Sequence, residues 1–73
     1  GTPSIEVDTF NGDGSDTTFT LTTEPANKNN LQIYIDGVYQ AKANYSTSGT
    51  TLTFTTAPQT GTNNIEVTHI KLS

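Results

Sequence analysis

From its first residues the chain alternates. Ile5, Val7 and Thr9 interleave with Glu6, Asp8 and Phe10, a period of two that predicts a strand with one buried face, although Phe10 falls out of phase with Ile5 and Val7. Asn11, Gly12, Asp13, Gly14, Ser15 and Asp16 follow as a dense turn signal with nothing to bury. The pattern resumes over 17–23, with Phe19 and Leu21 on one side and Thr18, Thr20 and Thr22 on the other. Residues 24–30, which include Pro25, read as a connection. Leu31, Ile33 and Ile35 then point one way and Gln32 and Tyr34 the other, and the run meets Asp36-Gly37. That dipeptide between apolar runs is a strong hairpin signal, because a type I′ turn needs two residues that tolerate positive φ. It predicts Ile35 facing Val38, Tyr34 facing Tyr39 and Ile33 facing Gln40, with the tyrosines on the face opposite the isoleucines. A short extended piece around Tyr45, a turn at Ser48-Gly49 and a strand carrying Leu52 and Phe54 come next, closed by Pro58 and Gly61. Residues 64–72 form the last strand, in which Ile65 and Val67 share one phase and Ile70 and Leu72 the other, so a bulge is expected near Thr68-His69.

Six or seven short strands with turns every 8 to 12 residues predict an all-β fold, a small immunoglobulin-like β-sandwich of antiparallel strands with the Asp36-Gly37 hairpin. The expected core is Ile5, Val7, Phe19, Leu21, Leu31, Ile33, Ile35, Val38, Leu52, Phe54, Ile65, Val67 and Ile70. A repeat lies within this pattern. Residues 15–25 match 48–58 at seven of eleven positions, and the exchanges at 19/52 and 21/54 keep an aromatic residue with a leucine. Each copy leads into Asn-Asn and an alternating strand, Leu31-Gln32-Ile33 in one and Ile65-Glu66-Val67 in the other. The pseudo-repeat of 15–33 with 48–67 suggests two strand–loop–strand units that fold together as one module spanning 1–73, with low complexity of a Thr-rich tract as the alternative. Ile5-Glu6-Val7 echoes Ile65-Glu66-Val67, the pattern expected of one module among several in tandem.

Composition sharpens the picture. Sixteen threonines, five serines and seven asparagines in 73 residues disfavour helix, and the absence of cysteine removes disulfides from a domain small enough to have a thin stability margin. Three basic residues against seven acidic ones give a net charge of -4, which repels phosphate backbones and argues against a nucleic-acid partner. No apolar run reaches the length a membrane helix needs, so no membrane insertion is expected.

Catalytic chemistry has little to work with. His69 is the only histidine and reads as an exposed or rim strand residue, no serine stands in a nucleophile turn, and a domain this small has hardly the material for a walled cleft between two carboxylates. The chain is therefore expected not to be an enzyme, and to need no cofactor. Calcium is the one ion with a candidate site: Asn11, Asp13, Ser15 and Asp16, with Asp8 nearby, resemble the opening of a calcium loop, yet position 22 holds threonine where a bidentate glutamate belongs. The other reading is an Asx-rich loop whose side chains cap their own backbone. Tyr34, Tyr39 and Tyr45, with Gln32, Gln40 and Asn44, form the candidate binding region, suited to stacking on sugar rings or packing on another protein; the tyrosines equally suit the outer cover of the sandwich.

The string Phe10-Asn11-Gly12-Asp13-Gly14-Ser15, the segments Thr18-Phe19-Thr20-Leu21 and Ile35-Asp36-Gly37-Val38-Tyr39-Gln40, and the run from Gly49 to Pro58 resemble a small β-module found, often in tandem, in fibre, spike and other virion structural proteins of tailed bacteriophages. That resemblance covers about residues 5–69. It implies a non-enzymatic virion or extracellular module, a tail-fibre adsorption unit or decoration protein acting as a spacer or facing a host receptor, with other virion subunits or tandem modules as partners. Two other functions fit the same residues. A carbohydrate-binding module would use the Tyr34/Tyr39 face for a cell-surface glycan and predicts the two rings exposed and coplanar enough to take a sugar ring. A bacterial surface adhesion or spacer domain shares the physics and differs in its setting.

Overall fold

The computed structural model describes residues 2–72, and its regular elements are strands apart from two short 3-10 turns. These are β1 (Pro3–Phe10), β2 (Thr18–Thr20), β3 (Leu31–Ile35), β4 (Val38–Gln40), β5 (Tyr45–Ser48), β6 (Thr51–Phe54) and β7 (Ile65–Leu72), with 3-10 turns at Lys28–Asn30 and Lys42–Asn44. They form two antiparallel sheets, one ordered β1-β7-β3-β4 and the other β2-β6-β5, which is the all-β sandwich of short strands that the alternation predicts. Among the described residues no helix is long and apolar enough to cross a membrane.

The hairpin follows the sequence closely. Asp36 and Gly37 take φ of 53° and 80°, and the strands on either side pair Ile35 with Val38, Tyr34 with Tyr39 and Ile33 with Gln40. Positive φ at both positions matches the right-handed twist of the strands they join. Gly49, at φ 59°, opens the two-residue loop that turns β5 into β6, with positive φ at its first position only, as in a type II′ turn.

Between the sheets lie Leu21, Leu31, Ile33, Tyr45, Leu52, Phe54, Ile65 and Val67, with Phe10, Phe19 and Ile35 packed against them. The rings of this core meet edge to face or tilted: Phe10 to Phe19 at 5.3 Å, Phe19 to Phe54 at 5.8 Å and Tyr45 to Phe54 at 6.4 Å between centroids.

Four expected core residues lie elsewhere. Ile5, Val7, Val38 and Ile70 are 71%, 53%, 63% and 41% exposed. In β1 the phase is decided by Phe10, whose ring is needed beside Phe19. Once Phe10 points inward, period two sends Asp8 and Glu6 inward with it and turns Val7 and Ile5 out. The expected bulge at Thr68-His69 is absent for the same reason. β1 and β7 pair without interruption from Phe10 with Ile65 to Pro3 with Leu72, so His69 follows Ile65 and Val67 into the interior and Ile70 faces out beside Ile5. Val38 sits at the turn end of the edge strand β4, with a strand on one side only.

His69 is therefore buried at 4% exposure, not a rim residue. It is accommodated by a polar corner: its Nδ1 lies 3.8 Å from Glu6 Oε1, while Glu6 Oε2 accepts from Thr23 Oγ1 at 3.4 Å and from Lys71 Nζ at 3.5 Å. One turn of the pleat away, Asp8 accepts from the hydroxyl and the backbone N–H of Thr22, at 2.6 and 3.1 Å. These carboxylates fasten the 22–23 segment across the end of the sandwich.

Candidate functional site

The outer face of the four-stranded sheet is uncovered in this chain, and the hairpin places the aromatic residues on it. Tyr34 and Tyr39 are direct cross-strand neighbours, 36% and 50% exposed, with centroids 5.9 Å apart. Their planes meet at 68°, so the two rings make a floor and a wall where the carbohydrate reading calls for a near-coplanar platform. Gln32 is exposed on the same face, two residues along β3. The non-local pairing of β3 with β7 sets Glu66 directly beside Tyr34 and Thr68 beside Gln32. At the hairpin end, Tyr34, Asp36, Gly37, Asn63, Asn64 and Glu66 line a shallow concavity of about 380 Å³.

That end of the sheet is rigidly held. The Asp36 N–H donates to Asn64 O at 2.8 Å. Asn64 Oδ1 accepts from Gly12 N at 2.9 Å while its Nδ2 donates to Gln59 O at 2.9 Å, and Asn63 N donates to Asn11 Oδ1 at 2.6 Å. With the Asn64 amide committed on both sides, the groups left to face a ligand in the concavity are the Tyr34 ring and hydroxyl, the carboxylates of Asp36 and Glu66, and the Asn63 amide.

Tyr39 has a partner of its own. Lys42 Nζ stands 5.4 Å from the centre of its ring, donates to its hydroxyl at 3.3 Å and donates to Leu31 O at 2.7 Å. Partial burial works to lower the pKa of this ammonium, and its interactions with Tyr39 and Tyr45 outweigh that, leaving it above the ordinary lysine value.

The remaining predicted binding residues lie on other surfaces. Tyr45 is 2% exposed, its hydroxyl shared between Lys28 O at 3.1 Å and Leu31 O at 3.4 Å. Burial pushes its phenol above the ordinary value, against a smaller opposing pull from the Lys42 charge. Gln40, opposite Ile33, belongs to the inner face; it donates to Val38 O at 3.1 Å and lines a small cleft with Ile35, Asn44 and Phe54. Of the predicted set, then, Gln32, Tyr34 and Tyr39 share one surface. Asn63 and Glu66 are not legible from local sequence because only the pairing of β3 with a strand some thirty positions away brings them to Tyr34, the phase of Glu66 between Ile65 and Val67 being the available signal, whereas Asp36 reaches the same concavity as a residue of the hairpin turn itself.

The 11–16 loop is organised around its own backbone. Asp13 Oδ1 accepts from the N–H groups of Ser15 and Asp16 at 2.8 and 2.7 Å, and these bonds hold its carboxyl below the usual range. The Asp13 charge in turn pushes Asp16 up. Asn11 is occupied by Asn63, and Gly14 N donates to Pro58 O at 2.9 Å. Among the described residues, no group of three or more His, Cys, Asp or Glu side chains is gathered as a metal site.

Two short antiparallel sheets closed on an apolar core, with exposed tyrosines on the outer face of the larger one, define a small all-β sandwich module. Residues 7–73 match the family described as the beta-galactosidase second all-beta domain, and the chain belongs to that family. It is itself a non-catalytic domain. Neither the curated proteins nor the solved structures compared with it include a significant match. The family overturns the resemblance to phage virion modules. The tail-fibre and decoration functions, the virion subunits as partners and the virion or extracellular setting all rested on that resemblance and fall with it. The likeness to those modules has a physical origin: Thr-rich alternation and an Asp-Gly hairpin suit a short, disulfide-free sandwich that keeps one side of each strand dry, so they report architecture and not setting.

Proposed function

We propose that this chain is a carbohydrate-contacting accessory module within a longer β-galactosidase-type protein, and that its contact surface is the outer face at Tyr34 and Tyr39, with Gln32 on one side and Asp36, Asn63 and Glu66 on the other. The observation that carries this reading is the exposed Tyr34 ring bordering a concavity with two carboxylates and an amide. An aromatic face takes the C–H side of a sugar ring, and carboxylates accept from its hydroxyls. The 68° angle limits stacking to one ring, Tyr34, with Tyr39 as a side wall held by Lys42. A surface this open supports weak, millimolar contact that becomes effective beside a second sugar-binding site in the same polypeptide.

Titration of the ¹⁵N-labelled chain with galactosides and galacto-oligosaccharides tests this. Amide shifts centred on Tyr34, Asp36, Asn63 and Glu66, lost in Tyr34→Ala and retained in Tyr34→Phe, are expected. Shifts absent up to tens of millimolar sugar, or unaffected by Tyr34→Ala, would remove the reading.

A further inference from the structure

The two sequence-similar stretches are brought together strand against strand. Phe19 pairs directly with Leu52, and Ile33 pairs directly with Val67. These are the positions that correspond in the repeat, at offsets of 33 and 34. In an antiparallel ladder, a residue paired with its own counterpart marks a local two-fold axis, and here one lies in each sheet. Around it β4 flanks β3 as β1 flanks β7. The second sheet breaks the rule: β5 flanks β6, and no strand flanks β2. The residues that correspond to β5 are 12–15, and they form the Asx loop docked on Pro58 and Gly61.

The missing neighbour leaves marks on its counterpart residues. Leu52 is fully buried with a strand on either side, whereas Phe19, its counterpart and partner, stays partly exposed. Leu21 N donates to Thr50 O and Phe54 N donates to Thr17 O, so residues 17, 19 and 21 face β6 and the backbone groups of Thr18 and Thr20 are directed to the open edge. Over Thr18 and Thr20 that edge carries no charge, proline or bulge of its own, and it ends where Asp8 accepts from the N–H of Thr22.

We infer that the edge of β2 is a strand-addition site, completed by an extended Ser/Thr-rich segment with one side chain placed beside the partly exposed Phe19, as Thr47 of β5 is placed beside Leu52. Main-chain hydrogen bonds to Thr18 and Thr20 hold it, and the side chain beside Phe19 and the Asp8 cap on Thr22 set its register. The segment comes from adjoining polypeptide of the same protein, since a domain described as second among all-β domains sits beside others and a tethered strand needs little intrinsic affinity. This site is independent of the carbohydrate reading.

The probe is a peptide of the β5 sequence, Asn-Tyr-Ser-Thr-Ser-Gly (44–49), added to the ¹⁵N-labelled chain. At millimolar peptide the amide exchange of Thr18 and Thr20 is expected to slow by about tenfold, with little change on the β1-β7-β3-β4 sheet. In β5 the pairs 44/55 and 46/53 face β6, so N-methylation of the peptide at the position of Ser46 is expected to weaken docking by about tenfold, while N-methylation at the position of Thr47 leaves it. Thr20→Pro, which removes an edge N–H and no bond to β6, is expected to abolish docking, and the two methylated peptides decide the matter where that variant misfolds. Unchanged exchange, equal binding of both methylated peptides, or protection that grows with protein concentration in the absence of peptide, which would seat a second copy at the edge, each overturns the inference.

Discussion

At the level of single residues, the least expected position is Tyr45. Sequence neighbours group it with Tyr34 and Tyr39 as a polar aromatic, yet it is a core residue whose only polar atom is held by two carbonyl oxygens. Tyr45→Phe is expected to lower stability by about 0.5–1.5 kcal/mol, because the hydroxyl is lost and the Lys28 and Leu31 carbonyls lose a donor; urea unfolding measures it. The same residue sets an alkaline limit. Its folded pKa, like that of Lys42, lies above the unfolded value, so the stability each contributes is complete below about pH 10 and declines as pH rises through the folded values. A urea midpoint that falls above pH 10 in the parent chain, and falls less steeply in Tyr45→Phe, is the expected result; a midpoint flat to pH 11 would show that burial does not hold the phenol protonated. Gly12 is equally constrained. A Cβ there would collide with the Gln59 carbonyl oxygen, so Gly12→Ala is expected to cost about 1–3 kcal/mol.

Among the elements, what the sequence discloses is local. The Asp36-Gly37 hairpin, its register and the alternation of β3 and β6 follow from adjacent residues, and all appear in the fold. β1 and the end of β7 do not, because each carries apolar residues in both phases and the choice is made by a distant partner: Phe19 for Phe10, and Glu6 for His69. The candidate surface divides in the same way. Tyr34 facing Tyr39 is a hairpin property, while Glu66 and Asn63 reach Tyr34 only through the β3–β7 ladder. One side chain ties these long-range connections together. Asn64 joins the β1–β2 loop through Gly12 to the β6–β7 loop through Gln59. Asn64→Ala is expected to cost about 1–3 kcal/mol and to speed amide exchange at Gly12 and Asp36 together. Loss of protection at one of them alone would mean the two loops are held separately.

As a whole, the molecule solves the problem of size by economy. Among the described residues, eight buried apolar side chains, four of them on β3 and β7 (Leu31, Ile33, Ile65 and Val67), separate the two sheets together with the partly buried Phe10, Phe19 and Ile35, and the sequence has no cysteine to cross-link them. A margin this narrow makes each core position expensive to change: Leu52→Ala, at the centre of the smaller sheet, is expected to remove about 2–5 kcal/mol, a large part of what a domain of this size has. It also frees the exterior. The outer face of the larger sheet keeps Ile5, Val7, Ile70, Tyr34 and Tyr39 in view, which suits a module working beside other domains.

The separation of an inward tyrosine from two outward ones is the claim on which the fold and the proposed contact both stand. The chain has three tyrosines, so uniform replacement by 3-fluorotyrosine gives three ¹⁹F signals. The expected spectrum has the Tyr34 and Tyr39 signals sensitive to a solvent-borne paramagnetic agent and shifted by a galacto-oligosaccharide, with the Tyr45 signal indifferent to both. Three signals that respond alike, or a Tyr45 signal that moves with the sugar while the other two stay still, would contradict it.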